Sequence, residues 1–99
     1  MREVQIKRAV DGKHKYTAIF FEDGKKVKTT HFGAKGMSDF TKHKDPSRKS
    51  EYIRRHKGKE SWDNCMSAGA LSRWVLWNKP TLSESIDSYL KKFRLKRKR

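Results

Sequence analysis

From Val4 onward, apolar and polar residues alternate. Val4, Ile6 and Val10 fall on one side of an extended segment, interrupted by Arg8, which is the period of a half-buried strand. Asp11-Gly12 follows, a pair suited to a tight hairpin turn whose two central residues take positive φ. The next run, His14 to Phe21, is rich in aromatic and β-branched residues. Tyr16, Ala18 and Phe20 share one of its faces, Ile19 and Phe21 the other. Apolar groups on both faces predict a central strand. A second turn is expected at Glu22-Asp23-Gly24-Lys25, then a third strand over Lys26 to Phe32, with β-branched Val27, Thr29 and Thr30. Residues 4–32 therefore read as an antiparallel meander.

Gly33 and Gly36 break the strand pattern, and the residues from Met37 to Asp45 have no clean period. Asp45-Pro46 then opens a helix, with Asp as N-cap and Pro at the first helical position, where its missing N–H would be unpaired anyway. Tyr52, Ile53 and His56 share one face of it beside Lys49, and Gly58 suits its stop. A second helix is expected from about Ser67, with Leu71, Trp74, Val75 and Asn78 on one side and Ala70 and Trp77 close by. Pro80 prevents its continuation. Thr81-Leu82-Ser83-Glu84 is a capping box. Leu82, Ile86, Tyr89, Leu90 and Phe93 then recur at helical spacing. The charged residues after Phe93 read as a frayed or extended arm. The expected class is α+β: a three-stranded antiparallel β-meander followed by three α-helices and a basic C-terminal arm. Residues 1–93 form a single domain in this reading, and 94–99 a basic tail.

Charge changes the picture. The 99 residues carry 26 Lys+Arg against 11 Asp+Glu, a formal net charge of +15, whereas a small soluble domain typically carries about 2–8 charges. Such a surplus seeks a polyanion: a nucleic acid, an anionic membrane surface or an acidic protein. Hydrophobic content is low at 33%, but 11% aromatics support a folded core with a few large side chains. Cys65 is the single cysteine, which rules out an internal disulfide and fits a reducing compartment. No apolar run approaches the roughly 18 residues of a membrane-spanning helix. The first ten residues lack the apolar stretch of a signal peptide. The terminal Lys96-Arg97-Lys98-Arg99 is compatible with a nuclear-localisation patch.

Candidate chemistry is sparse. Gly33-Ala34-Lys35-Gly36 has the Gly-x-x-Gly form of a loop that clamps nucleic-acid backbone. That loop joins two helices, however, and this one follows a strand. It is read as the hinge that lets the chain leave the sheet, with Lys35, Lys42 and Lys44 in reach of phosphate. His14, His31, His43, His56 and Cys65 stand nine or more residues apart, without the paired spacing of zinc ligands. The carboxylates are few and mostly adjoin lysine or arginine, unlike the converging acids of a metal-dependent nuclease. No catalytic, metal or cofactor site is expected. Trp62, Trp74 and Trp77 read as core rings, with base stacking as the alternative for exposed ones.

The basic clusters remain. Lys42, Lys44, Arg48, Lys49, Arg54, Arg55, Lys57 and Lys59 surround the first helix, and a helix flanked by basic loops can lie across phosphates. Lys91, Lys92, Arg94, Lys96, Arg97, Lys98 and Arg99 form the second cluster, a helix end with an arm that can track a groove or backbone. No helix carries the Arg/Asn/Gln set of a base reader, so backbone binding without strong sequence choice is expected.

Residues 31–93 also carry a recurrent pattern: His31-Phe32-Gly33, Asp39 to Asp45, Arg55-His56, Trp62, Ala68 to Ser72 and Leu76 to Leu82. In these the chain resembles a small uncharacterised family found in large double-stranded DNA viruses of algae and amoebae. Phe40 stands where that pattern has tyrosine, which keeps the ring and removes a hydroxyl. The resemblance implies a viral protein, located in the virion and in the host cytoplasm or nucleus during infection. The leading expectation is a non-enzymatic protein bound to nucleic acid, DNA ahead of RNA. The alternative is a minor capsid protein whose basic arms dock on acidic faces of shell subunits. A nuclease-like enzyme using His31, His43 or His56 carries the least weight.

Overall fold

The alternation at Val4, Ala18, Phe20 and Phe32 becomes the inner face of a sheet. The structure, a computed structural model, describes residues 2–98. Strands β1 (Arg2–Arg8), β2 (His14–Glu22) and β3 (Lys25–Ala34) come first. Helices α1 (Phe40–His43), α2 (Pro46–His56) and α3 (Ala68–Leu71) follow, α3 passing into a π-helical turn over Ser72–Leu76. Helix α4 (Leu82–Phe93) and strand β4 (Lys96–Arg97) complete the chain. The class is α+β, but the sheet is four-stranded and mixed, in the order β3-β2-β1-β4. The expected three-stranded meander therefore gains a strand, and the expected three helices gain the short α1.

The added strand has a simple cause. Arg94 takes the left-handed conformation, φ 53°, and caps α4. That reverses the chain and inserts Leu95, 9% exposed, into the core. Lys96 and Arg97 then pair in parallel with Glu3 and Val4, and the Lys98 N–H donates to the Val4 carbonyl at 2.9 Å. Charge at residues 94–99 pointed to a frayed or extended arm. Lys96 and Arg97 are extended, and one buried leucine and a free strand edge fix them in place.

The turns also differ from expectation. Asp23 and Gly24 both have positive φ, 51° and 82°, the tight two-residue form anticipated for Asp11-Gly12. At the first hairpin only Gly12 does, with φ 76°. Asp11 instead accepts, through Oδ1, the N–H groups of Lys13 and His14, both at 2.9 Å, an Asx-type turn. Val10 consequently leaves the strand and is 97% exposed.

Val4, Ala18, Phe20 and Phe32 pack against Cys65, Leu71, Val75, Leu76, Ile86, Tyr89 and Leu95. Each large, fully buried side chain such as Phe20 contributes about 1.5–3 kcal/mol. The Tyr89 hydroxyl donates to the Cys65 carbonyl at 2.6 Å. The π turn explains why Leu76 joins this core. The Trp77 N–H donates five residues back, to the Ser72 carbonyl at 3.0 Å, and so wide a turn returns Leu76 to the face of Leu71. Regular helical spacing had favoured Trp74, which is only half-buried. The caps at Asp45 and Thr81 form as expected: Asp45 accepts from the Ser47 N–H and Thr81 from the Glu84 N–H. All these core partners lie on one side of the sheet. Among the described residues no helix is long and apolar enough to cross a membrane.

Candidate anion-binding cleft

The stretch from His31 to Asp45 connects the sheet to α2. Gly33, with φ 79°, lets β3 pass under the helices, since a Cβ there would stand 2.8 Å from Leu76 Cδ1. Gly36, with φ 89°, then turns the chain outward. The Lys35 N–H donates to the Lys13 carbonyl at 3.1 Å, and the Met37 N–H to Ala34 at 3.2 Å. Asp39 caps α1, accepting from the backbone N–H and the hydroxyl of Thr41.

This loop, the first hairpin and α1 enclose a cleft of about 500 Å³. Arg8, His14, Lys15, Lys35 and Lys42 line it, with Tyr16, Gly36, Met37 and Ser38. Lys15 is the most enclosed cation and pairs with Asp39 at 2.5 Å, their side chains 11% and 2% exposed. Arg8, Lys35 and Lys42 have no carboxylate partner among the described residues. At the rim, the Asp11 carboxylate meets His14 Nδ1 at 2.6 Å. That contact and the two backbone N–H bonds hold its carboxyl far below the usual range. The result is a concave, polar site with three unneutralised cations, which suits an anion.

A second cavity, about 340 Å³, lies on the other side of Lys15. It mixes Asp39 and Glu60 with Lys15, Arg55 and His56, so its charges largely balance. One wall carries stacked rings, Trp77 on Tyr52 at 4.5 Å and Tyr52 on His56 at 4.3 Å, and His43 tilts against Trp77 at 5.3 Å. Burial pushes the Tyr52 phenol well above its ordinary value. His43 also accepts the Asp45 N–H at 3.0 Å, and His56 lies 3.4 Å from Glu60. His31 is elsewhere, beside Thr17 at 2.8 Å. The three histidines of the enzyme alternative therefore do not converge. Among the described residues no three His, Cys, Asp or Glu side chains gather as metal ligands would.

The sixteen cations singled out in the sequence separate. Lys35 and Lys42 enter the cleft, and Lys44 is exposed at the end of α1. Arg48, Arg55, Lys57 and Lys59 are exposed on or just after α2. Arg54 is held by Glu51 at 2.7 Å. Lys49 turns inward, donating to the Asn78 carbonyl at 2.7 Å with its ammonium 5.0 Å from the Phe40 ring centre. Desolvation, reinforced by Arg73 and Lys79, lowers its pKa. Lys91 is exposed on α4, and Lys92 lies 4.3 Å from the Trp74 ring centre. Arg94 caps α4, Lys96 and Arg97 form β4, and Lys98 follows; Arg99 lies outside the described residues. Because β4 pairs with Glu3 and Val4, it sits about 13–17 Å along β1 from Arg8, at roughly 3.3–3.4 Å per residue.

Arg8, His14 and Lys15 were missed. Each is one polar residue within a strand pattern, and only pairing brings them beside the loop. The break of the apolar stripe at Arg8 was the available signal. No curated protein and no solved structure matches the chain. Residues 4–56, more than half of the chain and all of the cleft's lining, match the family of unknown function DUF5754. The chain belongs to the DUF5754 family.

Proposed function

We propose that this protein binds nucleic acid through its phosphate backbone, without enzymatic turnover, and that the cleft is its anchoring point. The convergence of Arg8, Lys35 and Lys42 without acid partners carries the reading. Each can neutralise a phosphate, and the narrow loop at Gly36 lets backbone approach closely. The exposed Lys44 and Arg48 extend the same positive surface toward α2. The resemblance to a family of large DNA viruses supports a viral genome as the polyanion and the virion as the place.

Fluorescence anisotropy of labelled duplex DNA over a salt series tests this. Counterion release gives a log–log slope of about −0.9 per neutralised phosphate. With Arg8, Lys35 and Lys42 engaged, the slope should lie near or beyond about −2.7, and the triple Gln variant should flatten it correspondingly. Absence of DNA binding at low salt would refute the reading and favour an acidic protein partner, as a capsid cement would have.

A further inference from the structure

We infer that the helix-free face of the sheet binds single-stranded nucleic acid by stacking bases on Phe21 and His31; this deepens, and rests on, the phosphate-binding reading above. Strand register defines that face in three rows. Lys7, Thr17 and His31 form the first and Gln5, Ile19 and Thr29 the second. Lys96, Glu3, Phe21 and Lys26 form the third. The core partners of the sheet all lie behind the opposite face, and Ile19 and Phe21 remain only half-buried.

The surface is chemically specific. His31 is exposed, and its Nδ1 is engaged by the Thr17 hydroxyl at 2.8 Å, which fixes the ring and leaves Nε2 available to a base edge. The His14 ring stacks beside it, with centroids 5.7 Å apart and planes at 25°. His14 also lines the cleft, so the cleft and the face are continuous. At the far end the Lys98 ammonium lies 4.9 Å from the centre of the Phe21 ring. The first and third rows are about 13 Å apart at 3.3 Å per residue.

Charge and area select the occupant. Lys7, Lys26, Lys96 and Lys98 surround the face, and among the described residues Glu3 is the only carboxylate the register places on it. A second copy would set lysine against lysine. Ile19 and Phe21, with Val27 exposed at the adjoining bulge of β3, are too little apolar surface for the core of a protein interface. A duplex hides the flat faces of its bases, whereas a single strand offers them to aromatic side chains with its phosphates at the rim.

The test compares one mixed-sequence DNA oligonucleotide, single-stranded and as its duplex, at matched salt. Phe21→Ala and His31→Ala should each lower single-strand affinity about fivefold or more, the effect of one lost base–ring stack, and leave duplex affinity unchanged. Phe21→Leu, which keeps apolar volume without a π face, should reproduce the loss if Phe21→Ala is poorly folded by circular dichroism. Phe21→Trp should retain binding, with the new indole's emission quenched by the single strand. Equal single-strand affinity for wild type, Phe21→Leu and His31→Ala, with duplex binding intact, would overturn the stacking face and leave the phosphate reading standing. Wild-type protein that binds neither form at low salt would overturn both.

Discussion

The Lys15 ammonium and the Asp39 carboxylate meet at 2.5 Å behind the cleft, with Asp39 only 1% exposed. The other Asp39 oxygen caps α1 through Thr41, so one side chain ties β2 to the first helix. Asp39→Ala leaves an enclosed ammonium unpaired and removes the cap. Breaking a buried pair from one side costs about 3–5 kcal/mol, and urea denaturation should show a loss in that range. A loss below about 1 kcal/mol would place the pair with ordinary surface ion pairs.

Lys49 and Lys42 should behave oppositely although both belong to the same sequence cluster. Lys49→Ala removes the bond to Asn78 and the contact with Phe40. It should lower stability by about 1.5–3 kcal/mol and leave the salt slope of DNA binding unchanged. Lys42→Ala, exposed in the cleft, should change stability by less than about 0.5 kcal/mol and reduce the magnitude of the slope by about 0.9. Paired melting and salt titrations distinguish them.

Gly33 and Gly36 both have positive φ, but only Gly33 is crowded. A Cβ at Gly33 meets Leu76 at 2.8 Å and Lys15 at 3.2 Å, whereas one at Gly36 meets nothing within 4 Å. Gly36→Ala should cost about 1–3 kcal/mol from backbone strain. Gly33→Ala should cost more, because overpacking adds typically about 1–3 kcal/mol. Equal Tm values for the two variants would contradict the close approach of β3 to the π turn.

Stability should fall at both pH extremes for identifiable reasons. Asp11 is held below its ordinary value of 3.8, chiefly by the hydrogen bond to His14 and then by two backbone N–H groups. Its contribution is present above that value and lost as pH falls through the lower folded one. Burial raises Tyr52 and Tyr89 above their ordinary 10.0. Their contribution is complete below that value and declines as pH climbs from it toward the folded ones. Thermal melting across pH should therefore show a plateau bounded on the acid side below 3.8 and on the alkaline side near 10.0. In Asp11→Asn the acid-side loss should shrink.

Local chemistry made much of this fold legible. The alternation through Val4, Ala18 and Phe20, the Asp45-Pro46 start and the Thr81 cap are decided within a few residues, and each stands where its chemistry put it. What escaped depends on contacts far apart in the chain. Leu95 joins the core only because Val4 leaves a free edge, and Leu76 does so only because the helix widens. The cleft was half legible: Lys35 and Lys42 stood out by charge, while Arg8, His14 and Lys15 join them only through strand pairing. Lys49 shows the converse, a cation in a basic run that the fold turns inward.

The most direct test of the phosphate anchor is a residue-resolved NMR titration with a duplex oligonucleotide at low salt. Backbone amides of Arg8, Lys35, Gly36 and Lys42 are expected to shift first and furthest, with the Arg8→Gln, Lys35→Gln and Lys42→Gln triple variant losing those shifts while staying folded. Shifts confined to α4, or none at any DNA concentration, would contradict it.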